Sequence, residues 1–324
     1  MTDVRLGICL FNQAATWSEF EAAAILVDEL GYEHVWTWDH LYAITGDPYK
    51  PVFEGYATLG AWAKVTSHAK LGLFVGANTF RNPGLVAKSL TTIDHASGGR
   101  VIAGLGAAWH ELEHEAHGIE FGERPGQRLD WLEESVTAVR ALFAGEAVTS
   151  PPGGRYAFRD LRLLPQPVQR PIPIMIGGSG EKKTLRIVAT HADMWNTGGP
   201  PERLAHKLAV LREHCSTVGR DPSEIELTVG CKPVIRDSRA EALRVWREQM
   251  AHNRASDEMD DDEDEAAWIG TPEDVAAAMR RRTELGFNTF IAELAAPYDA
   301  ETMERWIREV KPAVEASSRA APTA

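Results

Sequence analysis

Eight short apolar runs spread along the whole chain constrain its fold more than any other feature. They fall at residues 4–10, 34–38, 70–75, 100–105, 172–176, 193–196, 225–230 and 288–293. A strand buried on both faces reads as a continuous apolar run, because neither of its sides meets water. Between most of these runs, at residues 17–30, 83–95, 129–143, 182–190, 201–218 and 272–285, apolar side chains recur at helical spacing. Alternation of strand and helix predicts a parallel sheet, and eight units predict its closure into an α/β (β/α)8 TIM barrel. Helix ends carry matching punctuation: Gly31 follows Leu30, Gly286 follows Leu285, and Thr271-Pro272 reads as an N-cap with proline at the first helical position.

Residues 1–312 are expected to form one barrel domain, with residues 313–324 as a flexible tail. Two spacings exceed a minimal barrel unit, which predicts insertions near 107–171 and 231–270 on the C-terminal face, where barrels build lids and specificity. The 44% hydrophobic and 25% charged residues suit a large soluble core. No stretch approaches the ~20 uninterrupted apolar residues of a membrane span, and Met1-Thr2-Asp3-Val4-Arg5 does not open a targeting segment. A cytoplasmic protein with no membrane partner is expected. The 34 basic against 47 acidic residues leave a net charge of −13, which disfavours nucleic acid and acidic membrane surfaces. Residues 257–265 concentrate much of that charge but lack the alternating ligands and central glycine of a calcium loop, and read as a solvated, mobile loop. Cys9, Cys215 and Cys231 are too scattered for a metal or paired redox motif.

The chemistry should gather where strands end. Asp39 and His40 follow the second run; a carboxylate beside an imidazole can orient it, which makes His40 a proton donor or acceptor near neutral pH. Adjacent strand residues point to opposite faces, so both reach one cavity only if the strand has already ended. After the fifth run, Gly177-Gly178-Ser179-Gly180 opens a helix, a geometry in which backbone N–H groups approach phosphate oxygens, with Lys182, Lys183 and Arg186 as a local positive patch. Gly104-Leu105-Gly106 resembles a dinucleotide fingerprint only weakly, because Trp109 fills the third glycine position. Small residues at 106–108 instead suit a flat ring lying against them. His110-Glu111-Leu112-Glu113-His114 satisfies the zincin pattern of two imidazoles one helical turn apart, which leaves a zinc hydrolase using His110, Glu111 and His114 as a remote alternative. The extended form of that motif is absent, since Gly118 sits one position late.

Taken together, Trp36-Thr37-Trp38-Asp39-His40, the run from Leu73 through Asn82-Pro83, Ser97-Gly98-Gly99-Arg100, Gly104-Leu105-Gly106, Ile176-Gly177-Gly178 and Gly270-Thr271-Pro272-Glu273-Asp274 resemble the luciferase-like monooxygenase superfamily. The resemblance spans about residues 4 to 310 and is strongest to the actinobacterial branch that uses coenzyme F420. It implies a β/α barrel, commonly dimeric, that holds a tricyclic ring at its C-terminal mouth. It places a bulge, often with a non-proline cis peptide, within Phe74-Val75-Gly76 as a buttress for one ring face. By the same resemblance, Asp39 and His40 match acid–base positions, Gly106, Ala107, Ala108 and Trp109 border the ring, and Gly177, Gly178, Ser179 and Lys182 lie at the phosphate and acidic tail. Sugar-phosphate dehydrogenases of the group carry a catalytic glutamate where this chain has Trp109, which argues against sugar phosphates. The expected activity is hydride transfer between F420 and a small organic substrate, with an FMN-dependent monooxygenase as the alternative.

Overall fold

The computed structural model describes residues 3–256 and 266–320. The acidic run 257–265 and its expected mobility lie outside the described residues. In chain order the elements are β1 (Arg5–Leu10), α1 (Trp17–Glu29), β2 (His34–Thr37), α2 (Gly55–Val65), β3 (Lys70–Leu73), β4 (Gly76–Ala77), α3 (Pro83–Ser97), β5 (Val101–Gly106), α4 (Glu111–His117), α5 (Pro125–Phe143), β6 (Ile174–Gly177), α6 (Thr184–His191), β7 (Met194–Thr197), α7 (Pro201–Val218), β8 (Glu226–Cys231), β9 (Val234–Ile235), α8 (Arg239–His252), β10 (Ile269–Gly270) and β11 (Thr289–Leu294). The helix Pro272–Thr283 lies between the last two strands, and Ala300–Arg305 and Lys311–Ala320 follow β11.

The parallel sheet runs β3-β2-β1-β11-β8-β7-β6-β5-β4 and closes through a β3–β5 pairing. β3 and β4 are two parts of one stave, so the barrel has the eight staves that the apolar runs predict. Alternation divides its core into two layers. Leu6, Ile8 and Leu10 of β1 face the surrounding helices, whereas Cys9 and Phe11 join Trp36, Trp38, Ile102, Met175, Met194 and Ile291 inside the barrel. Trp36 fills so much of the interior that a Cβ on Gly72 would lie 2.3 Å from its ring, and one on Gly7 would lie 3.0 Å from its Nε1. That space is why two strands carry glycine in mid-run.

Helix α2, unmarked by the sequence pattern, buries Tyr56, Leu59, Trp62 and Ala63. Beyond β8, β9 and β10 pair in a separate two-stranded sheet against α8. The tail expected at 313–324 is helical as far as residue 320, and residues 321–324 lie outside the described residues. Residues 311–320 are helical and Val314 is fully buried, because its apolar side chain packs into the main core.

Candidate active site

At the C-terminal rim, β3 gives way to a bulge with a cis peptide between Phe74 and Val75. The Val75 side chain turns across the mouth, and three glycines give the bulge room. A Cβ on Gly106 would lie 2.6 Å from Val75 Cγ2, one on Gly177 3.0 Å from the same atom, and one on Gly104 only 1.9 Å from the Leu73 carbonyl oxygen. The glycines of the apparent dinucleotide fingerprint therefore accommodate the neighbouring stave.

Val75 lies in a cleft of about 400 Å3. Phe74, Val75, Gly76 and Ala77 line it together with Gly106, Ala107, Ala108 and Trp109 from the end of β5, Gly177 and Gly178 from β6, and Asp39 and His40 from β2. Asp39 and His40 share the cavity because β2 ends at Thr37. Trp109 is 62% exposed and stands nearly perpendicular to His40, 5.6 Å between ring centroids, so its indole borders the mouth.

The expected pairing of Asp39 with His40 is replaced by another. Asp39 is buried and turns away: its Oδ2 accepts hydrogen bonds from the Ala77 amide (2.8 Å) and Arg81 Nη1 (2.7 Å), while Oδ1 has no hydrogen-bond partner. Burial outweighs the attraction of Arg81 and pushes the Asp39 carboxyl up to about 6. His40 meets Glu113 of α4 instead, with Nδ1 3.0 Å from Oε1. Oε2 of Glu113 accepts the Leu41 and Tyr42 amides at 2.8 and 3.4 Å. Burial raises the Glu113 pKa, but the His40 ring and these amides outweigh it and hold it below its ordinary value. With Nδ1 committed to a buried carboxylate, Nε2 is the ring atom left to exchange a proton with a ligand.

The same contacts overturn the zincin reading. His114 is fully buried, with Nε2 2.6 Å from Thr79 Oγ1 and Nδ1 2.7 Å from the His110 carbonyl, so neither nitrogen is offered to a metal. Among the described residues, no group of three His, Cys, Asp or Glu side chains is arranged to hold one.

The expected phosphate loop also differs in detail. Gly178 adopts φ +125° and donates its amide to the Asn196 carbonyl, and its own carbonyl accepts from Trp195 Nε1. Ser179 and Lys182 are exposed and do not line the cleft. Lys183 pairs with Asp130, and Arg186 grips Glu133 through both Nη atoms at 2.6 and 2.7 Å. Two of the three cations in the expected patch are thus neutralised by α5. The cleft takes its positive charge from Arg128, which the sequence pattern did not mark, and its wall from Pro125, Leu129, Thr184 and Asn196. The sequence shows Glu113 only as an acid in the first turn of the helix that follows a barrel strand, and its burial appears only in the fold.

A planar ligand fits this geometry. Val75 supplies a buttress, residues 106–108 keep one wall small, and the volume lies within the roughly 300–1,000 Å3 typical of small-molecule sites.

Residues 4–289 match the model of the luciferase-like monooxygenase family. The chain is 31% identical over 234 residues to the F420-dependent glucose-6-phosphate dehydrogenase of Microbacterium testaceum, covering 68% of this chain and 66% of that protein. It is 26% identical over 245 residues to the F420-dependent hydroxymycolic acid dehydrogenase of Mycobacterium tuberculosis, covering 75% of this chain and 66% of that protein. An F420-dependent secondary alcohol dehydrogenase in complex with an F420-acetone adduct superposes with a TM-score of 0.78 at 22% identity, over 96% of this chain and 99% of that one. The monooxygenase RslO1 from Streptomyces bottropensis gives 0.77 at 22% identity, over 97% and 99%. With most of its length matched by the family model, and with the same barrel, this chain belongs to the luciferase-like monooxygenase family.

Proposed function

We propose that the chain is an F420-dependent oxidoreductase acting on a small organic substrate. One observation carries the reading: the proton-handling pair His40–Glu113 opens onto the same cleft as the Val75 buttress and the small wall at 106–108. The names of two relatives, both F420-dependent dehydrogenases, support the choice of cofactor. When bound, the deazaflavin supplies hydride chemistry at a ring carbon and does not carry activated oxygen.

The protein's own residues orient the reactants and manage the proton. Val75 and residues 106–108 would hold the ring in the cleft onto which His40 opens. Glu113 keeps the imidazole in one orientation. His40 Nε2 then gives a proton to the substrate oxygen or carbon in reduction, or takes one from a hydroxyl in oxidation. Asp39, tied to Ala77 and Arg81, braces the turn that presents His40. Trp109 replaces a carboxylate with an indole, which favours an apolar alcohol, carbonyl or activated double bond over a sugar phosphate.

We also propose that the protein works in the cytoplasm as a homodimer. No helix among the described residues is long and apolar enough to cross a membrane. Leu85, Leu164 and Val168 are exposed apolar side chains around α3 and the segment packed on it, and they offer a face for a second copy. Light scattering that gives one 35.7 kDa unit would remove the dimer. Fluorescence titration with F420 and with FMN tests the central reading. Micromolar or tighter F420 binding with weak FMN binding is expected; tight FMN binding with none for F420 replaces it with the monooxygenase reading.

A further inference from the structure

Among the described residues, the four most exposed large apolar side chains are Tyr49, Leu164, Leu85 and Trp109. Leu85 and Leu164 belong to the face offered to a second copy. Tyr49 and Trp109, 73% and 62% exposed, instead end one aromatic seam beside the cleft. Single exposed apolar residues are ordinary, but a contiguous run of exposed rings marks a surface that something covers. The seam lies between α4 and residues 40–49. At its inner end Trp109 lines the cleft 5.6 Å from His40, and His40 stands 6.2 Å from His110, between ring centroids. His110, Glu113 and His117 recur at helical spacing, so α4 turns one stripe toward this segment. Glu113 holds the His40 ring and accepts the Tyr42 amide, and the Tyr42 ring lies 5.4 Å from His117. Tyr49 continues the seam 5.6 Å from Tyr42. At a rise of about 1.5 Å per residue, the stripe carries the seam about 10 Å away from the proton-handling imidazole.

Charge selects what covers it. Residues 40–49 and 111–117 hold four carboxylates, Asp47, Glu111, Glu113 and Glu115, and no lysine or arginine. A phosphate or an acidic cofactor tail meets no fixed cation on these two segments, whereas a neutral apolar body meets rings. We infer that the substrate of the cleft is an alcohol or ketone with an elongated apolar body, its reacting oxygen toward His40 Nε2 and its body along Trp109, Tyr42, His117 and Tyr49. The inference rests on the hydride-transfer reading of the cleft and narrows its substrate class. The rings are then specificity-determining: each carbon that leaves water against the seam adds transition-state binding, while the reacting group stays in place.

The test gives the F420-loaded enzyme 2-butanol and 2-decanol, whose oxidation passes a hydride to F420 and the hydroxyl proton to His40. The readout is kcat/KM for the longer alcohol divided by that for the shorter, a ratio that a general loss of activity does not move. It should be about 10 or more in the wild type. Tyr49→Ser and Trp109→Ala should each lower it about threefold or more, and Tyr49→Phe should keep the wild-type ratio. A wild-type ratio near one, or equal ratios in the wild type and both ring-deleted variants, overturns the inference. If no alcohol is turned over, saturation-transfer NMR of 2-decanone with the bare protein decides. Transfer to the tail methyl protons that Tyr49→Ser weakens supports the inference; no transfer, or transfer unchanged in Tyr49→Ser, overturns it. Failure of F420 to bind in a fluorescence titration removes the hydride-transfer reading alone, and the NMR result still decides what the seam covers itself with.

Discussion

Two buried aspartates on neighbouring β/α units hold opposite ends of the barrel in different ways. At the N-terminal end, Asp28 closes α1 against the turn before β3. Its Oδ2 accepts the Ser67 amide and hydroxyl at 2.7 and 2.8 Å, and its Oδ1 accepts the His68 and Ala69 amides at 3.0 and 2.8 Å. Burial raises the Asp28 pKa, but these four donors outweigh it and hold the carboxyl at about 2. At the C-terminal end, Asp39 has donors on one oxygen only and is pushed up to about 6. The contrast shows that burial does not set the state of a carboxylate; the number of donors aimed at its charged form does. Asp28 has donors on both of its oxygens and serves stability. Asp39 keeps one buried oxygen without a donor beside a cleft, at the end where barrels place their chemistry.

The largest expected effect breaks the comparison at the mouth. His40→Ala should lower kcat by about 10²- to 10³-fold on any substrate the wild type turns over, with cofactor affinity and thermal midpoint nearly unchanged. Steady-state kinetics and fluorescence titration check this, and undiminished turnover would remove His40 from proton transfer.

The next effect belongs to the opposite end. Asp28→Asn should cost about 2 kcal/mol of stability at neutral pH, following from the size of its pKa shift. Activity per folded molecule should not change. Because the folded pKa is depressed, this stabilisation is complete above the unfolded value of about 3.9 and fades as the pH falls toward about 2. Urea unfolding as a function of pH should show an acid loss in the wild type that the variant lacks; coincident curves would contradict the assignment.

A smaller effect sharpens the description of the mouth. Glu113→Gln should reduce kcat about tenfold, because the His40 ring loses the carboxylate that fixes its orientation. A structural role alone would lower the thermal midpoint and leave kcat per folded molecule in place. The last effect concerns Asp39. Its folded pKa lies above the unfolded value, so its ionisation costs stability as the pH rises from about 4 to about 6. Over that interval the wild type should lose about 2 kcal/mol relative to Asp39→Asn, the reverse of the Asp28 trend. Parallel pH profiles for the two proteins would erase the difference between the barrel ends.

The staves were legible because each is a short apolar run whose character depends on its own residues. Helix α2 was less so: Gly55 and Gly60 dilute a face whose burial rests on Tyr56, Leu59 and Trp62. In the site, the rim positions 39–40, 74–76, 106–109 and 177–178 could be read as strand ends, and all of them line the cleft. Glu113 and Arg128 escaped because nothing adjacent to them announces a partner. Glu113 reaches His40 across 73 residues of chain, and Arg128 enters the cleft from a helix whose neighbouring acids neutralise Lys183 and Arg186. The motif of His110 and His114 pointed toward zinc until the buried Thr79 hydroxyl claimed one imidazole nitrogen.

By itself, the order of apolar runs determined that the chain winds into eight parallel staves and which residues stand at their C-terminal ends, since buried-strand hydrophobicity and strand termination are local properties. Only tertiary structure decided which charges meet across that rim. Glu113 rather than Asp39 holds His40, α5 neutralises the loop cations, and Arg128 is left facing the cleft. Electrostatic pairing depends on distances of a few ångströms between elements far apart in sequence, and those distances exist only after the barrel has closed.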